Sequence, residues 1–206
     1  MPRPRISTNL AISADGKISS SPPRPSGWTS SADHARLLEL RGNADAILVG
    51  RGTLDADRMT LTVPGKTDQP LRCIVSRTGN FDVTHPIFQR AGGGIHLLAT
   101  AGWNAAVIPG ATCHQGSLSE FLKKLYTEFH VQHLHCEGGG QLIRELAALD
   151  MIDEFHLTLA GHTLFGGADA ATATGIPADF LPHSAGFTLS HFQPCAGECF
   201  LSYTRV

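Results

Sequence analysis

The sequence predicts a single α/β domain over residues 1–206, with a mostly parallel central sheet, helices on its faces and an antiparallel hairpin at the C-terminus. Three observations carry this expectation. Short β-rich runs alternate with helical patterns along the chain. The run Ala46-Ile47-Leu48-Val49 is apolar throughout, as in a strand covered on both faces. Two strand-like runs then follow one another at the end of the chain, as the arms of a hairpin do.

Taken in order, Ile6 to Ile12 reads as the first strand, and Ser20 to Gly27 is loop by its serine, proline and glycine content. A helix is expected from Ser30 or Ser31, where a hydroxyl can accept from the first free amides. Leu37, Leu38 and Leu40 form part of its apolar face, and it ends near Gly42. Ala46 to Val49 is too short for a helix and is read as a strand, followed at once by Gly50-Arg51-Gly52-Thr53. Leu71 to Val75, Ile95 to Ala99 and a short run around Val107 are further strand candidates, and Leu118 to Phe129 is an amphipathic helix opened by Ser117. Val131 to Cys136 reads as a strand, Gly140 to Leu149 as a helix and Glu154 to Leu159 as a strand. A Gly/Ala/Thr/Pro loop from Gly161 to about Ser184 precedes the closing pair, Phe187 to Phe192 and Cys199 to Thr204. No repeat or low-complexity linker marks a boundary.

Composition narrows the partners. At 42% hydrophobic and 17% charged the chain can bury a continuous core, and a formal charge of -2 offers no general attraction for nucleic acid or an anionic membrane. The five cysteines are odd in number and scattered over a long chain, which fits a reducing compartment. The start Met1-Pro2-Arg3-Pro4-Arg5 leads into a mixed stretch and not an apolar one, so neither a signal peptide nor a membrane span is read, and a cytoplasmic location is expected.

The chemistry concentrates where strands run into turns. In Cys136-Glu137-Gly138-Gly139-Gly140, three glycines between a strand and a helix let backbone approach a diphosphate, and the first helical amides supply positive potential. A tight turn needing glycine for its dihedrals alone reads equally well, and the G-x-G-x-x-G spacing is absent. Gly50-Arg51-Gly52-Thr53 follows a buried strand, so its amides and the Thr53 hydroxyl emerge at the carboxyl edge of the sheet, where α/β proteins bind ligands. Arg51 is either a solvated charge or a planar fork for a phosphate. His135-Cys136-Glu137 with Pro194-Cys195 and Cys199 imitates a zinc deaminase pattern, but the second half is C-x-x-x-C and the first ends in the glycine run, so no metal site is expected. Asp15-Gly16-Lys17 is by itself a turn at the end of the first strand, Asp57 and Arg58 are by themselves loop charges, and most of the eleven histidines stand in no pattern.

Together and in order, several segments resemble the reductase domain of riboflavin biosynthesis, the 5-amino-6-(5-phosphoribosylamino)uracil reductase family, whose fold is the three-layer, dihydrofolate-reductase-like one. These are Asn9-Leu10-Ala11-Ile12-Ser13-Ala14-Asp15-Gly16-Lys17-Ile18; Arg41 ahead of Ala44 to Thr53; Leu54-Asp55-Ala56-Asp57; Leu61-Thr62-Val63; Glu137-Gly138-Gly139-Gly140-Gln141-Leu142; and Asp153-Glu154 with Phe165-Gly166-Gly167. The resemblance covers nearly the whole chain. It implies NADPH as hydride donor and 5-amino-6-(5-phosphoribosylamino)uracil as substrate, with the ribose reduced to a ribityl chain at C1. By position it implies a cofactor cradle of Gly50, Thr53, Glu137, Gly138, Gly139, Gly140 and Leu142, with Arg51, Ser76 and Arg77 toward a 2′-phosphate. Asn9, Lys17, Asp57 and Arg58 would face the substrate, Lys17 and Asp57 orienting it or moving a proton. A homodimer is implied because such domains pair through their sheets.

Three positions depart from the family pattern. Two aspartates followed by proline become Asp57-Arg58-Met59, a histidine ahead of Arg41 becomes Leu38, and a proline at the late strand exit becomes His162. An arginine in place of a carboxylate reverses charge and hydrogen-bonding sense. A dihydropterin or dihydrofolate reductase of the same fold, or a dinucleotide-binding protein without catalysis, are therefore the competing expectations.

Overall fold

The computed structural model describes residues 2–21, 27–103, 108–174 and 186–206. Its elements in chain order are β1 (Arg5–Ser13), α1 (Ser31–Gly42), β2 (Ala46–Gly50), α2 (Arg51–Asp57), β3 (Leu71–Ser76), α3 (Pro86–Gln89), β4 (Ile95–Ala99), β5 (Ala111–Gln115), α4 (Leu118–Thr127), β6 (His133–Cys136), α5 (Gly140–Ala148), β7 (Glu154–Ala160), β8 (Phe187–Cys195) and β9 (Glu198–Arg205). The fold is mixed α/β, with nine strands among the described residues, mostly parallel and closed by an antiparallel C-terminal hairpin. The chain forms two compact units, Met1–Arg5 with Leu40–His135, and Ile6–Glu39 with Cys136–Val206.

In the first unit β5, β4, β3 and β2 are parallel neighbours, with β6 next to β2. Register puts Val49 beside Ile74 and Ile74 beside Leu97, so one face of these strands is a continuous apolar layer. Leu54 of α2, Leu61 and Ile87 of α3 pack into that layer and are at most 1% exposed. Ala46 to Val49 is buried at every position, as its unbroken apolar run requires. Ser117 and Glu120 form a reciprocal capping box that starts α4, whose buried Leu118, Phe121, Leu122 and Leu125 follow a helical period. A cap of this kind stabilises a helix by roughly 1 kcal/mol. The helix ends two residues before Phe129, and the chain leaves it through His130 at φ 57°.

In the second unit β1 and β7 are parallel from Ser7↔Glu154 to Ser13↔Ala160; β9 pairs antiparallel with β7, and β8 with β9. The hairpin turns at Ala196 and Gly197, both with positive φ (51° and 83°), the handedness that suits a tight two-residue turn. α1 docks here by polar contacts more than by its leucines. Asp33 accepts from the Thr158 hydroxyl at 2.6 Å, and Arg36 donates to the carbonyls of Leu157 and Leu201 and lies 5.0 Å from the Phe200 ring centroid.

The strand expected around Val107 falls outside the described residues, while the strand that lines β4 is Ala111–Gln115. That strand has no apolar run: Thr112 and His114 alternate with Ala111 and Cys113 at an edge, so its period was hidden by composition. β6 begins at His133, two residues later than expected. The amides of Gln132 and His133 both donate to Asp45 Oδ2, and Val131 donates to the Leu125 carbonyl at the end of α4. α3 is one turn with proline at its start, and Gly50-Arg51-Gly52-Thr53 proves to be the cap and first turn of a helix.

Candidate functional site

In the first unit the carboxyl ends of β2, β3 and β4 stand side by side, with Gly50 opposite Val75 and Ser76 opposite Ala99. Gly50, Arg51, Thr53, Ser76 and Arg77 are therefore brought to one edge, the edge at which such sheets bind ligands. Gly50 caps α2 without a side-chain hydrogen bond, and a Cβ built on Gly50 or Gly52 would meet no atom within 4 Å. Neither residue has a positive φ. Among the described residues no packing contact demands glycine there, so the space above this turn is open to a ligand that approaches backbone. Arg51 Nη1 donates to the Asn80 carbonyl at 2.8 Å, and its Nε lies 3.9 Å from Asp55. That holds one guanidinium beside the turn that begins with Arg77, itself exposed. Ser76 is only 6% exposed, and its hydroxyl accepts from the Thr78 amide, so its side chain shapes the turn.

Asp57 and Arg58 end α2. Arg58 is its C-cap in the left-handed region at φ 47°, and Leu61 repeats that conformation at φ 54° while fully buried in the apolar layer. A non-glycine residue pays roughly 1 kcal/mol for such a backbone, and two within four residues mark a loop whose shape is imposed by its surroundings. The Asp82 carboxyl lies below its ordinary range, chiefly through the hydroxyl and amide of Thr84, with the Arg58 guanidinium adding to the effect. Arg58 thus faces a carboxylate of its own unit.

In the second unit Lys17 follows β1 and is locked by backbone pairing: its carbonyl accepts from the Ser13 amide at 2.9 Å, it bridges to Thr172, and Ile18 donates to the Ala171 carbonyl. Asp15 accepts from the Ser13 hydroxyl at 2.5 Å, the Gly166 amide at 2.8 Å and the Phe165 amide at 3.3 Å. These bonds, the Ser13 hydroxyl first, hold its carboxyl below the ordinary range. Asn9 lies four residues before Ser13 on the strand, about 13 Å away, so it is not brought to the Lys17 turn. Its Oδ1 is enclosed and has no hydrogen-bond partner among the described residues.

Glu137 to Gly140 and Leu142 also belong to the second unit, at the start of α5. Gly138 is glycine for a reason internal to the chain: a Cβ would sit 2.5 Å from Leu142 Cδ2 and 2.9 Å from Leu142 Cβ. None of the three glycines has a positive φ. The Gly138 amide donates to the Cys136 thiol, which burial pushes up to about 12 despite that bond. Gly139 caps the helix without a side-chain bond, and among the described residues the amides of Gly140 and Gln141 have no partner, so they are the ones open to an anion.

Sequence reasoning read Ser30 only as a helix start and assigned no role to His162 or Glu198. Their link is spatial, since Glu198 collects donors from residues 168 and 36 positions away. The one available signal was the departure of His162 from the family pattern.

The family model of the RibD C-terminal domain matches residues 4–184. A 2,5-diamino-6-ribosylamino-4(3H)-pyrimidinone 5′-phosphate reductase of Archaeoglobus fulgidus is 29% identical, over 99% of this chain and 91% of its own. The solved diaminohydroxyphosphoribosylaminopyrimidine deaminase/5-amino-6-(5-phosphoribosylamino)uracil reductase of Thermotoga maritima superposes with a TM-score of 0.84 at 22% identity, over 99% of this chain and 57% of its own. The dihydrofolate reductase of Enterococcus faecalis, solved with NADP(H), superposes at 0.61 and 13% identity, over 98% of this chain and 96% of its own. The last two likenesses establish the dihydrofolate-reductase-like fold.

Proposed function

The chain belongs to the RibD C-terminal domain family, and from that premise we propose that it is an NADPH-dependent reductase of a pyrimidine ribosylamino phosphate, acting in riboflavin biosynthesis. The observation that carries the cofactor reading is the open space over Gly50 and Gly52 beside the Arg51 guanidinium. Cations at that edge, Arg51 and Arg77, suit a 2′-phosphate, and the unpartnered amides of Gly140 and Gln141 suit the pyrophosphate. Glu137, Gly138 and Leu142 shape that helix start, and Thr53 and Ser76 shape the first-unit edge.

NADPH, when bound in that cradle, would supply the hydride. The substrate's C1, exposed when the ribose ring opens to an imine, accepts it, and the imine nitrogen takes a proton, leaving a ribityl amine. On the family resemblance, Lys17 and Asp57 orient the sugar or move that proton, and Asn9 and Arg58 bind the substrate. The substrate is 5-amino-6-(5-phosphoribosylamino)uracil; the name of the Archaeoglobus relative supports the 2,5-diamino compound as the second choice. Lys17→Ala and Asp57→Ala each lower kcat by roughly a hundredfold with NADPH affinity little changed. Steady-state kinetics check this, and unchanged turnover in both variants removes the assignment.

A homodimer is part of the proposal. β8 is an edge strand without an Asp, Glu, Lys or Arg, and its Leu189 and Phe192, 48% and 56% exposed, share a face with Tyr203 and Leu201. An uncharged, apolar edge of this kind suits a second copy. A cytoplasmic location is also part of the proposal; the five cysteines are free, and no described helix is long and apolar enough to cross a membrane.

A further inference from the structure

Glu198, the first residue of β9, has a side chain with no exposed surface. An enclosed carboxylate needs donors. It has three: the Ser30 amide at 2.8 Å, the Ser30 hydroxyl at 2.5 Å and His162 Nε2 at 3.2 Å. Burial alone raises its pKa, but the Ser30 hydroxyl and amide, with His162, outweigh it and hold the group below its ordinary range. Ser30 is itself occupied, since its hydroxyl accepts from the Asp33 amide at the start of α1.

His162 leaves β7 in the segment that meets the Lys17 turn. Its Nδ1 pairs with the Thr163 hydroxyl at 2.9 Å, and the Thr163 carbonyl accepts from the Ala14 amide at 2.9 Å. Three residues on, Phe165 and Gly166 donate their amides to Asp15. Phe165 also meets the Trp28 ring edge-on, with centroids 4.9 Å apart, just ahead of Ser30. The result is a closed run of contacts from Glu198 through His162 to the 163–166 segment, Asp15 and the turn that carries Lys17.

We propose that His162 is a substrate-positioning residue: its hydrogen bond to Glu198 fixes the 162–166 segment, and that segment fixes the turn that presents Lys17. This rests on the reading that Lys17 faces the substrate. The resembling family commonly has proline at this position, which stiffens the backbone but carries no donor for a carboxylate. Here a side-chain tether replaces the rigid ring.

The test compares the chain with His162→Ala and with His162→Gln, whose amide nitrogen can still donate to Glu198. His162→Ala lowers kcat/KM for the pyrimidine substrate about tenfold, the scale of one lost charge-assisted hydrogen bond, while the KM for NADPH stays within about twofold. Amide hydrogen exchange, read without any ligand, speeds up over residues 15–18 and at Phe165 and Gly166, and His162→Gln recovers most of both effects. Unchanged exchange over those residues, an unchanged kcat/KM for the pyrimidine, or glutamine no better than alanine overturns the proposal. If the unaltered chain oxidises NADPH with neither pyrimidine, it is the reductase reading that fails, and the exchange measurement still decides whether the tether exists.

Discussion

At the exit of β2, a side chain added to Gly50 or Gly52 would meet nothing within 4 Å; at the exit of β6, one added to Gly138 would strike Leu142 at 2.5 Å. Both turns join a strand to a helix, and both read in the sequence as places where backbone could approach a phosphate. The structure separates them. Gly138 is small because Leu142 folds back over it, so its identity is fixed by packing. Among the described residues Gly50 and Gly52 meet no such constraint, which leaves room for a ligand to approach their backbone.

That contrast can be broken by substitution. Gly138→Ala forces Leu142 to move and costs roughly 1–3 kcal/mol in urea unfolding, with Leu142→Ala relieving part of the loss in the double variant. Full stability in Gly138→Ala would show that the packing argument is wrong. Gly50→Ala is expected to leave stability nearly unchanged and to raise the KM for NADPH about tenfold, about 1.4 kcal/mol of binding. If NADPH affinity is unaltered, the open space above β2 is not where the cofactor lies.

The buried ionisable groups of the two units extend the comparison. In the first, burial, with His114 hydrogen-bonded at 3.1 Å, pushes His96 down to about 4. An imidazole that resists its proton when folded binds it more readily unfolded, so stability is complete above the ordinary value of 6.5 and falls as the pH drops from there toward 4. The loss is at most about 1.4 kcal/mol for each pH unit. In the second, Glu198 is held below its ordinary range, so its contribution is present above that range and is lost only in stronger acid. Urea unfolding at a series of pH values should show His96→Gln flattening the curve between 6.5 and 4, while Glu198→Gln leaves that stretch of the curve its slope. The smallest effect is Gly52→Ala, which stabilises α2 by about 0.5–1 kcal/mol, because nothing opposes the new methyl and alanine is the better helix former.

Much of the fold was legible because its strongest signals are local. The buried run of β2, the Ser117 cap of α4 and the closing hairpin each follow from residues close together in the chain. β5 escaped because an edge strand can alternate Thr, Cys and His without an apolar run. For the candidate site, the placement of Gly50, Arg51 and Thr53 at the carboxyl edge of the sheet was readable from their position after a buried strand. The tie between His162, Glu198 and Ser30 was not, since it joins segments far apart in sequence through a carboxylate that looks like an ordinary strand charge. Gly138 was legible as a turn glycine, but the packing that fixes its size was not. Three glycines in a row do not reveal that a leucine four residues on needs the room.

The most direct test follows NADPH absorbance as the purified chain meets 5-amino-6-(5-phosphoribosylamino)uracil, its 2,5-diamino counterpart and dihydrofolate in turn. Oxidation of NADPH with a pyrimidine, one equivalent for each ribityl product formed, is the predicted result. Turnover with dihydrofolate alone, or tight NADPH binding with no turnover of either pyrimidine, would contradict it.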